Sequence, residues 1–225
     1  MIATRKWRIG WAQMDFQTRS EISTPLHASS PTSPSPLITI HAFSFIMVKQ
    51  DEFTPEELGH LRKAVAQATE AYEAGDSPFG SVLVSRTGEV LQAHRNRIYT
   101  GSPDDPQHRP DASLHPEFTL AKWAQANMSA EERAGATVYT TGEHCPMCAA
   151  LHAYVGLGPI VYVTSSQQFF KWMGDYGVDV GGVSSLQIGV VAKKVPTRGP
   201  VEGLDEEIKA LHIKRWTKQG HTLQA

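Results

Sequence analysis

Two short motifs constrain this chain more than any other feature of its sequence. A His-Pro-Glu triplet at 115–117 and a Cys-Pro-Met-Cys quartet at 145–148 begin thirty residues apart, each where a helix is expected to start. Cysteines three positions apart share one face of a helix, so their two sulfurs can bind one metal ion. Two thiolates and one imidazole make a tetrahedral zinc site whose fourth position stays open for water. We therefore predict that His115, Cys145 and Cys148 bind Zn²⁺.

Glu117 lies two residues beyond His115 and is expected to face a substrate rather than share the metal. Zinc lowers the pKa of a bound water towards about 7, and a neighbouring carboxylate can accept the proton that this water releases. Glu117 is therefore the predicted catalytic acid/base. A binding or structural zinc module has no need of this carboxylate, which favours an enzyme. A thiol oxidoreductase that uses Cys145 and Cys148 is a further alternative, which zinc analysis of the purified protein distinguishes.

Cysteine content and charge narrow the class of protein further. The 225 residues contain two cysteines, which favours a metal or redox pair over a disulfide framework. The net charge of -2 argues against nucleic acid as the main partner. The sequence has no run of eighteen apolar residues, so no membrane span is expected. We expect a cytoplasmic protein that acts on a small molecule.

Residues 1–46 differ in composition from the rest of the chain. The stretch at 29–36 reads Ser-Ser-Pro-Thr-Ser-Pro-Ser-Pro, a low-complexity sequence that buries too little surface to offset the entropy of ordering. We expect a disordered extension at 1–46 and one folded domain at 47–225. An organellar transit peptide and an over-extended translation start ahead of Met47 are alternative explanations of the extension, and the sequence does not separate them.

The rest of the chain alternates helix and strand signals. Thr54 begins a helix with a capping box, and Gly75 ends it. The order of elements predicts one mixed sheet with helices on both faces. Further helices are expected at 115–126, 145–155, 167–173 and 204–216, and strands at 81–85, 90–95, 137–141, 160–164 and 185–192.

The two motifs together resemble those of the cytidine and deoxycytidylate deaminase superfamily, which includes guanine, cytosine and transfer-RNA adenosine deaminases. The resemblance extends from about residue 53 to 164 and includes 77–84, Ser-Pro-Phe-Gly-Ser-Val-Leu-Val. It implies a three-layer α/β/α sandwich with a mixed five-stranded sheet. It also implies hydrolytic replacement of an exocyclic amine by a carbonyl on a small nucleobase or nucleoside, with guanine-like substrates favoured. Cytosine or cytidine deamination and editing of transfer-RNA adenosine are the alternatives.

The same resemblance suggests substrate-binding residues. Asn96 matches the asparagine that reads the substrate in guanine deaminase-like members, and Tyr154 falls where some members carry a pocket aromatic residue. Phe79 is a third candidate, with a simple core position as its alternative. The chain departs from the usual pattern at Pro116, normally a small residue, and at His144, normally a proline. Both departures leave the predicted metal ligands in place.

The helix predicted at 145–155 is apolar around most of its circumference, with Met147, Ala149, Ala150, Leu151, Ala153, Tyr154 and Val155. Such a helix must be covered on more than its sheet side. We expect a homodimer to cover it, as is usual in the resembling family. Cover by the terminal helix of the same chain is the alternative.

Deletion of residues 1–46 is expected to leave the melting temperature and ammonia release nearly unchanged, because a Pro- and Ser-rich segment contributes little packing. Calorimetry and an ammonia assay on the full-length and truncated chains check this. A large fall in Tm would show that the apolar run at 37–48 packs as a real element.

Overall fold

A mixed five-stranded sheet organises the chain, with the strand order β2-β1-β3-β4-β5. The computed structural model describes residues 47–224, so the predicted extension at 1–46 lies outside it. Strand β1 pairs antiparallel with β2 and β3, whereas β4 runs parallel to β3 and β5. The strands are β1 Gly80–Val84, β2 Val90–Arg95, β3 Thr137–Gly142, β4 Ile160–Thr164 and β5 Thr197–Arg198. The predicted α/β class and mixed five-stranded sheet are confirmed.

Helices cover both faces of this sheet. They are α1 Pro55–Ala74, α2 Pro116–Asn127, α3 Ala130–Gly135, α4 Pro146–Val155, α5 Ser166–Asp175, α6 Ile188–Val191 and α7 Leu204–Lys218, with a 3-10 turn at Gln50–Glu52. On one face, α1 and α7 pack against Val82 and Val84 of β1; on the other, α2 and α4 pack against Leu83. Because successive strand residues point to opposite faces, β1 is buried throughout. Within residues 47–224, no helix is long and apolar enough to cross a membrane.

The first helix follows the signals in its sequence. The Thr54 side chain accepts a hydrogen bond from the Glu57 amide, and the Glu57 carboxylate accepts one from the Thr54 amide. Gly75 ends the helix with a φ of 99°, which glycine adopts without strain. Gly80 then lets β1 approach α1 closely, since a Cβ there would lie 2.3 Å from the Ala64 carbonyl oxygen. The start of β1 is therefore held directly against the helix backbone.

The region after β4 corrects one prediction. The strand predicted at 185–192 is wrong: this stretch contains α6, and the last strand is β5. Ile188 packs with Ala149 and Ile160, so its apolar character reflects contact with α4 and β4. A strand of two residues has no alternation that periodicity could detect. The sequence reading also left out α3, although Ser129 and Glu132 form a capping box at its start.

A buried aspartate connects the end of α1 to the loop that follows β2. Asp76 is fully buried, and its Oδ1 accepts hydrogen bonds from the amides of Tyr99, at 2.7 Å, and Thr100, at 3.2 Å. Its Oδ2 accepts bonds from the Thr100 hydroxyl at 2.6 Å and from Arg95 at 2.8 Å. Arg95 is itself largely buried. Asp76 therefore fixes the beginning of the loop that ends at His115.

Replacement of Asp76 by Ala should lower the free energy of unfolding by about 3–5 kcal/mol, because it leaves Arg95 buried without its partner. Urea denaturation measures the change. The matched control is Asp104→Ala in the same loop, an exposed position where a change within about 0.5 kcal/mol is expected. Equal effects of the two substitutions would contradict the role of Asp76.

One side of α4 is left uncovered by the described residues, 47–224. Tyr154 is 89% exposed and Met147 is 38% exposed, whereas Cys148, Ala149, His152 and Val155 are buried. Helix α7 packs on the opposite face of the sheet, so it does not cover this side. Cover of α4 by the terminal helix α7 is therefore wrong. The homodimer stays a prediction, and the exposed apolar side chains are the surface that it would bury.

Light scattering at micromolar concentration should give a mass near twice the 24.7 kDa of one chain. Tyr154→Arg should shift the mass towards the monomer, because a charge is introduced into the apolar surface. A wild-type mass near 24.7 kDa would refute the homodimer.

Candidate active site

The first residues of α2 and α4 meet beside the sheet. His115 is the N-cap of α2 and Cys145 is the N-cap of α4, with a proline at the first helical position of each. Proline suits this position because the amide that it lacks has no partner within a helix. The ligand atoms of His115, Cys145 and Cys148 all lie within 4.8 Å of one another. Among residues 47–224, no other trio of His, Cys, Asp or Glu comes together in this way.

This donor set fits zinc. The Nδ1 atom of His115 faces the sulfur of Cys145 at 3.8 Å, and Cys148 is buried in the first turn of the same helix. The cysteine spacing brings both sulfurs to the side that the imidazole occupies. Two sulfurs and one ring nitrogen are the ligands of an open zinc site.

The protonation of the cluster favours a thiolate. The hydrogen bond from Cys148, and then the one with His115, lower the pKa of Cys145 to about 4. The same bond to Cys145, together with burial, raises the pKa of Cys148. Burial alone would lower the pKa of His115, but its bond to Cys145 and the charge of Glu117 raise it. A thiolate at a helix N-terminus is the form in which cysteine binds metal.

Glu117 lies in the first turn of α2 and is 7% exposed. Its Oε1 accepts a hydrogen bond from the Thr140 hydroxyl at 2.9 Å, and its Oε2 lies 3.9 Å from the Cys148 sulfur. Burial raises the pKa of Glu117, against the opposing charge of His115. A raised pKa suits a carboxyl group that alternately accepts and donates a proton.

Two hydroxyls that the sequence reading missed hold Glu117 in place. Ser81 on β1 and Thr140 on β3 are paired across the sheet, and the Ser81 hydroxyl donates to that of Thr140 at 2.8 Å. Thr140 in turn donates to Glu117. Serine and threonine in buried strands give no signal of their own, so only the register of β1 and β3 reveals this chain of bonds.

A cavity of about 180 Å³ opens beside the cluster. His115, Glu117 and Cys145 form one end of it, and Phe79 lies along its side. The segment at 166–188, which we call the cavity wall, supplies most of the remaining lining, including Phe169, Phe170, Val180, Val183 and Leu186. No Lys or Arg of the described residues lines the cavity. Its volume suits a small ligand.

The structure places Phe79 in the lining of the cavity, whereas neither Asn96 nor Tyr154 lines it. The Asn96 amide donates to the Phe79 carbonyl at 2.9 Å, and the Asn96 side chain is buried. Its Nδ2 has no hydrogen-bond partner among the described residues. Tyr154 does not line the cavity and is 89% exposed. Six residues beyond Cys148 correspond to roughly 240° of helix rotation, which turns Tyr154 away from the side that carries the sulfur.

Two histidines near the cluster lie outside it. The Nε2 of His152 forms a hydrogen bond with the Gly158 carbonyl at 2.9 Å and not with the proposed metal ligands. This is what an interior histidine is expected to do. His144 is buried with its ring 5.2 Å from that of His152, and neither of its ring nitrogens has a partner among residues 47–224. The histidine that replaces the usual proline is therefore packed into the core beside α4.

Comparison with known proteins gives relatives with deaminase names. A probable cytosine deaminase from Schizosaccharomyces pombe is 24% identical over 120 residues, which cover 53% of this chain and 67% of that protein. A tRNA-specific adenosine deaminase from Bacillus subtilis is 33% identical over 96 residues, covering 43% of this chain. The match spans about half of that enzyme's length, 53%.

The structural comparison agrees at the level of the fold. The structure of a guanine deaminase from Nitrosomonas europaea aligns with a TM-score of 0.52 and 18% identity, covering 73% of this chain and 85% of that one. At this identity the likeness establishes the cytidine deaminase-like fold and nothing finer. The model of the MafB19-like deaminase family matches residues 56–220, which are 165 of the 225 residues and include both motifs. The chain therefore belongs to the MafB19-like deaminase family, within the deaminase superfamily that its motifs predicted.

Proposed function

We propose that the domain at 47–225 is a zinc-dependent hydrolytic deaminase of a small nucleobase or nucleoside. The observation that carries the proposal is that the donor atoms of His115, Cys145 and Cys148 converge beside a small cavity lined by His115, Cys145 and Glu117. A structural metal site would not need a buried carboxylate beside its ligands. Glu117 is such a group, and it faces the space that a substrate would occupy.

His115, Cys145 and Cys148 would hold the zinc ion, since their donor atoms converge and Cys145 favours the thiolate. When bound, the ion would supply Lewis-acid activation of water at neutral pH. The remaining chemistry is the work of the protein. The Thr140 hydroxyl holds the Glu117 carboxylate in a fixed orientation.

The reaction exchanges the exocyclic amine for oxygen. Water adds to the carbon that bears the amine, and Glu117 accepts the proton that the water gives up. Glu117 then donates this proton to the neighbouring ring nitrogen. It next accepts the hydroxyl proton of the adduct and delivers it to the amine, so the carbon–nitrogen bond breaks and ammonia leaves as the carbonyl forms. Because one carboxyl group accepts and donates in turn, its raised pKa assists the second half of the cycle.

The cavity lining supports a substrate that is aromatic and uncharged. Phe79, Phe169 and Phe170 offer ring faces and edges against which a heterocycle can pack. We favour a guanine-like base, the substrate class that the resemblance at Asn96 implies; Asn96 lies beside the Phe79 backbone, and its buried Nδ2 has no partner among the described residues. Cytosine or cytidine is the alternative. A transfer-RNA substrate requires phosphate contacts, for which the described cavity offers no cation.

Replacement of Glu117 by Gln is expected to reduce kcat about a hundredfold to ten-thousandfold, because Gln cannot accept a proton. The expected zinc content and circular dichroism are those of the wild type. Ammonia release from guanine, cytosine, adenine and their nucleosides provides the assay. The matched control is Glu131→Gln, an exposed position on α3 that should leave turnover unchanged.

The same series tests the metal. Elemental analysis should find one zinc per chain in the wild type and in the Glu117 variant, and a loss of zinc in Cys148→Ala. Full metal content in the Cys148 variant would overturn the ligand assignment. Substantial turnover in Glu117→Gln would assign the proton transfer to another group.

A further inference from the structure

A second carboxylate borders the cavity and has no part in the proposed chemistry. Glu143 lies between the end of β3 and Cys145, and its amide donates to the Thr164 carbonyl at 2.8 Å. Its Oε2 accepts a hydrogen bond from the Ser166 amide at 2.8 Å. Its Oε1 accepts one from the Ile188 amide at 2.9 Å. Both oxygens of this side chain therefore bind backbone amides.

These two amides mark the ends of the cavity wall. Ser166 is the first residue of α5, and Ile188 is the first residue of α6. An amide in the first turn of a helix has no partner within the helix, so an ionised acceptor there is effective. One carboxylate thus closes the segment at 166–188 into a loop at the base of the metal-binding turn.

The middle of the cavity wall has little else to hold it. Val180, Val183 and Leu186 line the cavity although they are 49%, 66% and 40% exposed. The backbone hydrogen bonds of this stretch are local, from Val178 to the Met173 carbonyl and from Leu186 to the Ser184 carbonyl. Tyr176 and Val178 pack with the buried cluster of Trp172, Met173 and Trp216, so the stretch at 179–187 is held by that packing on one side and by the bond of Ile188 to Glu143 on the other.

We propose that Glu143 is a positioning residue that sets substrate affinity by fixing both ends of the cavity wall to the metal-binding turn. The inference rests on the proposed function, since it concerns the substrate of that same site. Glu143 acts through the wall residues, because each of its carboxylate oxygens accepts a hydrogen bond from an amide of the wall. The wall contacts the substrate away from the reacting carbon, so its contribution is nearly equal in the ground state and the transition state. Such a contribution appears in KM rather than in kcat.

The central experiment is the Glu143→Gln variant. Gln keeps one acceptor oxygen but turns an NH₂ group towards the other amide, so one of the two ties is lost. KM is expected to rise roughly tenfold, the size of one lost bond to a charged acceptor. We expect kcat to stay within about threefold of the wild type, with one zinc per chain. Hydrogen exchange should become faster in 176–188 and stay unchanged in α1.

A double-mutant cycle tests whether Glu143 acts through the wall. Val183→Ala alone should raise KM, and its effect should shrink when Glu143→Gln has already released the segment. Val190→Ala is the matched control: Val190 is 55% exposed on α6 and does not line the cavity, so it should change KM in neither background.

The other possible results of these experiments would contradict the proposed role of Glu143 or the proposed function. Unchanged KM in Glu143→Gln, or strict additivity with Val183→Ala, overturns the positioning role. A fall in kcat at constant KM would place Glu143 in the chemistry, and loss of zinc would make it a support of the metal site alone. A zinc-loaded wild type that releases no ammonia from any base would instead refute the proposed function. In that case, unchanged exchange in 176–188 would show that the tie to the wall fails as well.

Discussion

The approach of two helix N-termini, those of α2 and α4, is the contact on which the rest of the site depends. Both helices pack on the same face of the sheet, so their first residues reach the same edge. His115 and Cys145 are N-caps, positions whose backbone is extended and whose side chains project past the helix end. Partial positive charge at both ends favours a thiolate between them. Metal-binding geometry and helix packing are therefore one constraint, because neither helix can shift without separating the ligand atoms.

Local signals explain why the sequence predicted the part of the fold from α1 to β4. The capping box at Thr54, the prolines after His115 and Cys145 and the turn between β1 and β2 each act within a few residues. The convergence of His115, Cys145 and Cys148 could be predicted for the same reason, since the cysteine spacing places both sulfurs on one helix face; their binding of zinc stays a prediction. Tyr154 shows the limit of this reasoning. Its position matches an aromatic residue of the resembling family, but its side chain points to solvent and not to the cavity.

The secondary structure after β4 depends on contacts with residues that are distant in sequence. Helix α6 begins at Ile188, whose amide donates a hydrogen bond to Glu143, 45 residues earlier in the sequence. Strand β5 is defined by its pairing with β4. Neither partner can be recognised from the residues of the element itself. The same holds for Ser81 and Thr140, ordinary strand residues that acquire a role because the β1–β3 register places them in line with Glu117. Local sequence signals were thus enough to predict the helices and strands up to β4, whereas the residues that line the cavity after β4 could be identified only from the three-dimensional structure.

The cavity is assembled from two parts of the chain that differ in how they can change over evolution. The metal ligands and Glu117 sit on elements that also build the core, so substitutions there disturb folding and chemistry together. The cavity wall is one continuous stretch, attached at its ends by backbone amides that any residue except proline supplies. Insertions, deletions and exchanges at 179–187 alter what faces the ligand, whereas Trp172 and Met173 of the same segment belong to a buried cluster with Trp216. A fold built this way can change its ligand-facing surface through one short stretch of chain, while the residues of the proposed metal site keep their places.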